Sequence, residues 1–393
     1  MKVLIVHNAL NDSRSVSGVV RHYAFVAEAL NAKGHEVDFY LAGAGFPQLK
    51  ELAPSSQLIS SDSFFDATHH IEKTWTYFPA YFWRALTCFF TWMPKRYDVV
   101  YASGQFILEV WCARILAWRM KCPWMVKIQH VLGAQTKRQG LINGLFLWTE
   151  RIAAKWIRRK SIGVMCISNV VAKDWNWLEK ELGLPPSETL QVGCGIEFEK
   201  IPDGAAVAKK FDVVFLGRMH EQKGVFDIAP FWKRVLEECP EARLAVIGEG
   251  PHRKAMQNQL KEHGIEKQVE VFGGVSEDDK RRLLAESRIG ISLSYEEGWG
   301  ISVTEFLATG LPVVGYALPV FEEAFPGQID SVPLGDAVGA GAKVAALLRN
   351  PDRISKEGAG NREFAKDLDY KKVGEGELQV IETFLDRRES KAT

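Results

Sequence analysis

At 393 residues, 47% of them hydrophobic and 25% charged, the chain is long enough for two domains that each bury a core. Its 49 Lys and Arg balance 49 Asp and Glu, which speaks against nucleic acid as the main partner. The six cysteines (Cys88, Cys112, Cys122, Cys166, Cys194 and Cys239) show no C-x-x-C and no zinc-like spacing, so they read as reduced thiols of a cytoplasmic protein.

The opening MKVLIVHNAL has one lysine and too few apolar residues before His7 and Asn8 for a signal peptide, and it fits a buried first strand. After the polar NDSRSVSG, Val19, Tyr23, Val26 and Leu30 recur at helical spacing. Gly34 stops that helix, and Glu36 to Leu41 read as the next strand. Strand, loop, helix, strand is the start of a doubly wound α/β domain. Thr74 to Met93 (TWTYFPAYFWRALTCFFTWM) is twenty residues long with one charge, Arg84. Its length just reaches across a bilayer, but the central Arg84 and Pro79 speak against a transmembrane helix. Apolar residues on all sides predict a helix that is buried or faces a greasy surface. Trp75, Trp83 and Trp92, with Lys95 and Arg96 directly after, leave two readings open: an aromatic core helix, or peripheral membrane association through residues 74–96.

Residues 97–102 read as a strand, 107–119 as a helix and 124–129 as a strand ending in His130. Residues 147–160 form an amphipathic basic helix whose charged face reads as solvated. Strands IGVMCIS and ETLQV complete a first domain, and the polar IPDGAAVAKK (201–210) suits a linker. Domains are thus expected over 1–200 and 207–375, with 376–393 returning to the first.

The second domain opens on the apolar FDVVFLG. Its strand end carries Gly217, Arg218, Lys223 and Gly224, two cations beside close-approach glycines, as an anion would need. ARLAVIGEGP, a polar helix, strand QVEVFG, the GGVSEDD turn and a second helix (279–286) follow. The stretch LSYEEGWGISVTEFLATGLPVVG (293–315) then reads as strand end, glycine loop, helix and strand. The helix starts near Ile301 and stops at Gly310. Gly298 and Gly300 admit a ligand close to the backbone, and the N–H groups of residues 300–302, including Ile301 and Ser302, suit a diphosphate. Glu297 and Glu305 beside an anion site make sense when the ligand also carries sugar hydroxyls. The pattern points to a nucleotide-sugar.

Glu297-Gly298-Trp299-Gly300, then Glu305 and Gly310-Leu311-Pro312, resembles the signature of retaining glycosyltransferase family four, glycosyl transferases group 1. Trp299 stands in place of the usual phenylalanine. The resemblance implies the α/β GT-B fold: two Rossmann-like, doubly wound parallel-sheet domains facing a cleft, with a C-terminal helix crossing back to the first. It also implies that the second domain binds the nucleotide-sugar and the first the acceptor. Gly18 and Gly34-His35 match the family's glycine loop and helix end, although Ser17 replaces a glycine. His130 falls where the family often places a histidine beside the donor sugar. Ser168-Asn169 resembles a family loop, and Phe272 to Val275 a turn that commonly seats the base. Cys194 and Glu197 depart from the family's Asn and Asp at the domain junction.

The resemblance implies a retaining hexosyltransferase. It assigns Glu297, His130, Arg218 and Lys223 to catalysis, and Gly18, Arg218, Lys223, Glu297, Gly298, Gly300, Ile301, Ser302 and Glu305 to substrate binding. Within that set Glu297 takes sugar hydroxyls, Glu305 the ribose diol, and Arg218 and Lys223 the diphosphate. No cofactor or metal is expected beyond a UDP- or GDP-linked donor. The one D-x-D, Asp367-Leu368-Asp369, follows no apolar strand and reads as chance. The acceptor is a hydroxyl, with the aromatic stretch pointing to a lipid-linked or cell-envelope glycan at the inner face of the membrane. Three alternatives stay open: a glycoside hydrolase using Glu297 and Glu305, a phosphorylase or sugar-phosphate synthase of the same fold, and a non-catalytic nucleotide-sugar-binding protein.

Overall fold

Short runs of aliphatic and aromatic residues make the strands, and the central ones of each sheet are buried on both faces, as parallel sheets covered by helices require. A computed structural model describes residues 1–8, 18–62, 77–132, 134 and 141–390. Ser17, Trp75 and the rest of residues 9–17 and 63–76 lie outside the described residues.

The first unit comprises Met1–Gly195 and Tyr370–Thr393. Its elements are β1 (Lys2–His7), α1 (Gly18–Ala32), β2 (Glu36–Leu41), α2 (Phe46–Leu52), β3 (Leu58–Ser60), α3 (Tyr77–Thr87), β4 (Val99–Ala102), α4 (Ile107–Met120), β5 (Trp124–Ile128), α5 (Leu141–Lys160), β6 (Val164–Cys166), α6 (Asn169–Glu181) and β7 (Thr189–Gln191). The described strands are all parallel, in the order β3-β2-β1-β4-β5-β6-β7. Val3 to Val6 are fully buried in the centre.

The second unit, Ile196–Asp369, continues with β8 (Phe211–Leu216), α7 (Ile228–Glu238), β9 (Leu244–Ile247), α8 (Arg253–Glu262), β10 (Val269–Phe272), α9 (Glu277–Ala285), β11 (Ser287–Ser292), α10 (Ile301–Thr309), β12 (Val313–Tyr316), α11 (Pro319–Ala324), β13 (Ile329–Val332), α12 (Ala337–Leu348) and α13 (Pro351–Ala365). Its strands are also parallel, ordered β10-β9-β8-β11-β12-β13. In both sheets the strand order reverses beside the unit's first strand, between β1 and β4 and between β8 and β11. The carboxyl ends of strands at such a reversal are where doubly wound sheets bind ligands.

The last helix, α14 (Tyr370–Ser390), belongs to the first unit and packs on α1. Gly374 lies so close to Ala29 that a Cβ there would collide with it. One turn on, buried Glu377 accepts from Lys127 Nζ (2.5 Å), His22 Nε2 (2.7 Å) and Tyr101 Oη (2.9 Å). Burial pushes the Glu377 carboxyl up, but Lys127 and His22 outweigh it and hold the group down at about 2.

Three expectations are corrected. The polar 201–210 stretch is no linker: the units divide at 195/196 and 369/370, Ile201 is buried in the second unit, and Lys209 Nζ donates to Ala285 O and Ser287 O (both 2.8 Å). The basic helix starts earlier, at Leu141. The aromatic stretch is not one helix. Among the described residues α3 ends at Thr87 in a run of turns, and its apolarity is inverted: Arg84 is buried while Phe82, Trp83, Phe90 and Trp92 are exposed. No helix of the described residues is long and apolar enough to cross a membrane.

Candidate functional site

The strongest cluster forms at the carboxyl ends of the adjacent strands β8 and β11. After β8 the chain turns through Gly217 and Arg218 into a 3-10 turn at Glu221–Lys223. Arg218 is exposed, and Lys223 half-buried. Gly224 closes the turn at φ +66°, where a Cβ would run into the Leu293 carbonyl, so only glycine lets this loop lie against the end of β11. Tyr295 N donates to Gln222 O at 2.9 Å and joins the two loops by backbone.

Side chains complete the join. Lys223 Nζ pairs with the Glu297 carboxylate, and Ser294 Oγ donates to the same oxygen at 2.9 Å. Behind them Asp227 accepts from both Tyr295 Oη (2.7 Å) and Tyr316 Oη (2.6 Å). Burial and the Asp227 hydrogen bond push the Tyr295 hydroxyl up to about 12, so it stays a donor and anchors the start of the loop.

Gly300 caps α10 at φ +111°. A Cβ there would lie 2.7 Å from Phe321 Cε1, so the turn into the helix tolerates no side chain. The first intrahelical bond in α10 is Thr304 N to Gly300 O (3.0 Å), which leaves the N–H groups of its first turn outside the helical ladder. Together with the helix dipole, these amides suit an anion. Glu305, one turn along, is 8% exposed and pairs with Lys280 Nζ of α9 at 2.5 Å. Thus Arg218, Lys223, Glu297, Gly298, Gly300, Ile301, Ser302 and Glu305 all lie on two adjoining loops and the helix that follows.

Sequence reasoning missed Lys280, Asp227 and Ser294. Lys280 stood in a charged run, Glu277 to Arg282, in which nothing marked one cation over another. At the Phe272–Val275 turn, Gly274 N donates to Glu249 Oε1 (3.3 Å), whose carboxylate also pairs with Arg253 (2.5 Å). Among the described residues, His220, Glu221 and His252 form one group whose ligand atoms lie within 4.8 Å of one another. The His220 Nδ1 already accepts from Gln222 N at 3.3 Å. Asp367 and Asp369 sit at the return to the first unit, where Asp369 Oδ2 accepts from Phe198 N (3.3 Å).

The remaining predicted residues belong to the first unit. Gly18 is the exposed first residue of α1. His130 lies just past β5, with its carbonyl held by Gln105 Nε2. Gln105 Nε2 also donates to buried Glu150 (2.9 Å), and Glu150 accepts from Leu132 N (3.1 Å), so this carboxylate fixes the turn that carries His130. At the strand-order reversal, His7 Nδ1 and Ser103 Oγ lie 2.7 Å apart. Polar residues at the ends of β1 and β4 were the available signal for this pair. Ser168 has a local role, capping α6 by accepting from Val171 N (3.2 Å).

Known proteins resemble this chain in sequence and in fold. The family model for glycosyl transferases group 1 matches residues 197–329, and that for glycosyltransferase family 4 matches residues 16–200. A glycogen synthase of Mycobacterium tuberculosis is 23% identical over 295 residues, covering 74% of this chain and 69% of its own. The crystal structure of Anabaena HepE with UDP and glucose superposes with a TM-score of 0.73 at 16% identity, covering 98% of this chain and 99% of the other. A sucrose-phosphate synthase from Thermosynechococcus elongatus gives 0.73 at 14% identity, with 98% and 99% covered. These last two likenesses establish the fold.

Proposed function

The chain belongs to the glycosyl transferases group 1, of the GT-B type that uses nucleotide sugars, and on that premise we propose that it is a metal-independent, retaining hexosyltransferase. One observation carries the reading. Lys223, in the loop after β8 that also carries Arg218, pairs with Glu297 of the loop that leads into an anion-ready helix, where the strand order reverses. As the anomeric C–O bond breaks, its electron pair goes to the departing diphosphate, and fixed cations favour that charged transition state over the ground state. The acceptor oxygen forms its bond to the same face of the anomeric carbon and gives its proton to a phosphate oxygen. Glu297 takes sugar hydroxyls, Glu305 the ribose diol and the α10 amides the phosphates, while His130 donates to a sugar oxygen or positions the acceptor, and Gly18 lets donor or acceptor come close to the backbone. Two protein cations and a helix start neutralise the diphosphate, so no metal is required.

The pairing also weighs against a glycosidase. Glu297 is held by Lys223 and Glu305 by Lys280, so each carboxylate is already engaged by its own lysine. The acceptor is read as a lipid-linked or cell-envelope glycan, on the strength of the exposed aromatic residues of the first unit. A UDP-, GDP- and ADP-sugar panel tests the whole proposal, with nucleotide release followed with and without chelator and membrane extract. Release from one donor that survives chelator and rises with extract is the expected result. Release abolished by chelator refutes metal independence, and no binding of any donor refutes the transferase reading.

A further inference from the structure

Outside the donor site, the first unit carries an outward aromatic face that is also cationic. Beyond α3 the chain exposes Phe90 (84%) and Trp92 (75%), and the end of α4 exposes Trp118 (71%). These are one surface. Trp111 Nε1 donates to Ala85 O (2.9 Å), and Arg119 Nη1 donates to Cys88 O (2.8 Å) and Thr91 O (2.9 Å), fastening α4 along α3 and the segment after it. Trp118 lies seven residues after Trp111, on the same side of α4. The rings of Phe90, Phe89, Trp111 and Trp156 follow one another at 6.5, 6.1 and 5.5 Å. Arg114 stacks on the Trp156 ring at 5.2 Å, carrying the surface onto α5. There the exposed positions 148, 151, 155 and 158 are Trp, Arg, Lys and Arg.

The charge around this face is one-sided. From Tyr77 to Lys160 the sequence has 14 Lys and Arg but only 3 Asp and Glu, in a chain balanced 49 to 49. Arg84 and Lys127 are buried, Lys95 pairs with Glu36 and Asp38, and residues 137 and 138 lie outside the described residues, which leaves nine cations for this side of the unit. Glu109 and Glu150 are buried, and Asp98 already accepts from Lys2 N (2.6 Å). Exposed Arg96 and Lys121 flank the aromatic residues. Tryptophan rings between cations match the headgroup level of a bilayer, apolar just below and anionic at the surface. With no membrane-crossing helix among the described residues, the fitting mode is to lie on the bilayer.

We propose that the outer face of α3, α4 and α5, with Phe90, Trp92 and Trp118 as its inserting side chains, docks on an anionic lipid surface. This deepens the lipid-linked acceptor reading above, and it stands independently of donor chemistry. The test is co-sedimentation of the full chain with vesicles of phosphatidylcholine alone or mixed with phosphatidylglycerol, at low and high salt, without donor. Binding is expected on the mixed vesicles only, weakening with salt. The F90A/W92A/W118A variant should lose about tenfold or more of it while binding donor in solution as before. If that variant fails to fold, R96E/K121E carries the same expectation. Three results overturn the proposal: no binding to the anionic vesicles, equal binding to both vesicle types, or undiminished binding by the folded variant. A wild-type dimer that the variant turns into monomer by sedimentation velocity also overturns it, assigning the face to a second copy. Donor binding lost in a wild type that still sediments refutes the transferase reading and leaves the docking face standing.

Discussion

Lys223 joins the two loops of the candidate site, because its ammonium is the partner of Glu297 and, in the proposed function, also a fixed charge for the diphosphate. Lys223→Ala therefore removes transition-state stabilisation and leaves the Glu297 carboxylate without its cation. We expect kcat for nucleotide release to fall about 10²–10³-fold, in line with the loss of one preorganised charge donor. Lys223→Arg should recover part of the loss. A steady-state assay that finds Lys223→Ala changing donor KM alone contradicts the catalytic assignment and leaves a purely binding one. The residues that sequence reasoning located are those whose spacing along the chain is itself the chemistry: Arg218 and Lys223 in one turn, Glu297 to Glu305 across a glycine loop and a helix start. Lys280 and Asp227 were not legible. Each acts on a residue many positions away, and only the packing of α9 on α10, or of the 225–228 turn under the Tyr295 loop, brings it there.

Elements were legible where apolar runs and glycine stops coincide. Gly34 (φ +82°) and Gly310 (φ +79°) both take the left-handed conformation their positions after helices predict, and each apolar run around them is a strand. The aromatic stretch defeated the same reading. Apolar residues on all sides give no direction to a helix, so nothing local indicated that Arg84 would turn inward, its Nη1 donating to Asn8 O (3.0 Å), while Trp83 and Trp92 turned out. The loop into α10 gives this scale its prediction. Gly300→Ala places a Cβ against the Phe321 ring and imposes a left-handed backbone on alanine. We expect a loss of about 1–3 kcal/mol of stability in urea unfolding, together with weakened donor binding, because relief comes from moving the helix start to which the proposed function assigns the phosphates. Unchanged donor affinity in a destabilised variant would separate the α10 amides from phosphate binding.

At the scale of the chain, two summary quantities were poor guides. A net charge of zero concealed a cationic segment of the first unit, and a polar, glycine-bearing linker composition concealed a segment that packs within the second unit. The return of the C-terminal helix was legible from the family resemblance, but its fastening was not, since His22, Lys127 and Glu377 are scattered over the sequence and are all buried. Glu377 meets Lys127, His22 and Tyr101, with Cys194 beside His22. Its carboxyl ordinarily titrates near 4.5 and is held at about 2 in the folded unit. A depressed carboxylate contributes stability in full above its ordinary value, and that contribution is lost as pH falls from 4.5 towards about 2. Glu377→Gln removes the titration and leaves Lys127 buried without its carboxylate. At neutral pH the variant should lose about 3–5 kcal/mol in the first urea transition, followed by circular dichroism. Below pH 4.5 the gap between the two proteins should close, because the wild type alone loses the ion pair. A gap that stays constant through that window would mean that the carboxylate is not charged in the folded protein, and α14 would then be held without that buried ion pair, by packing such as that on α1.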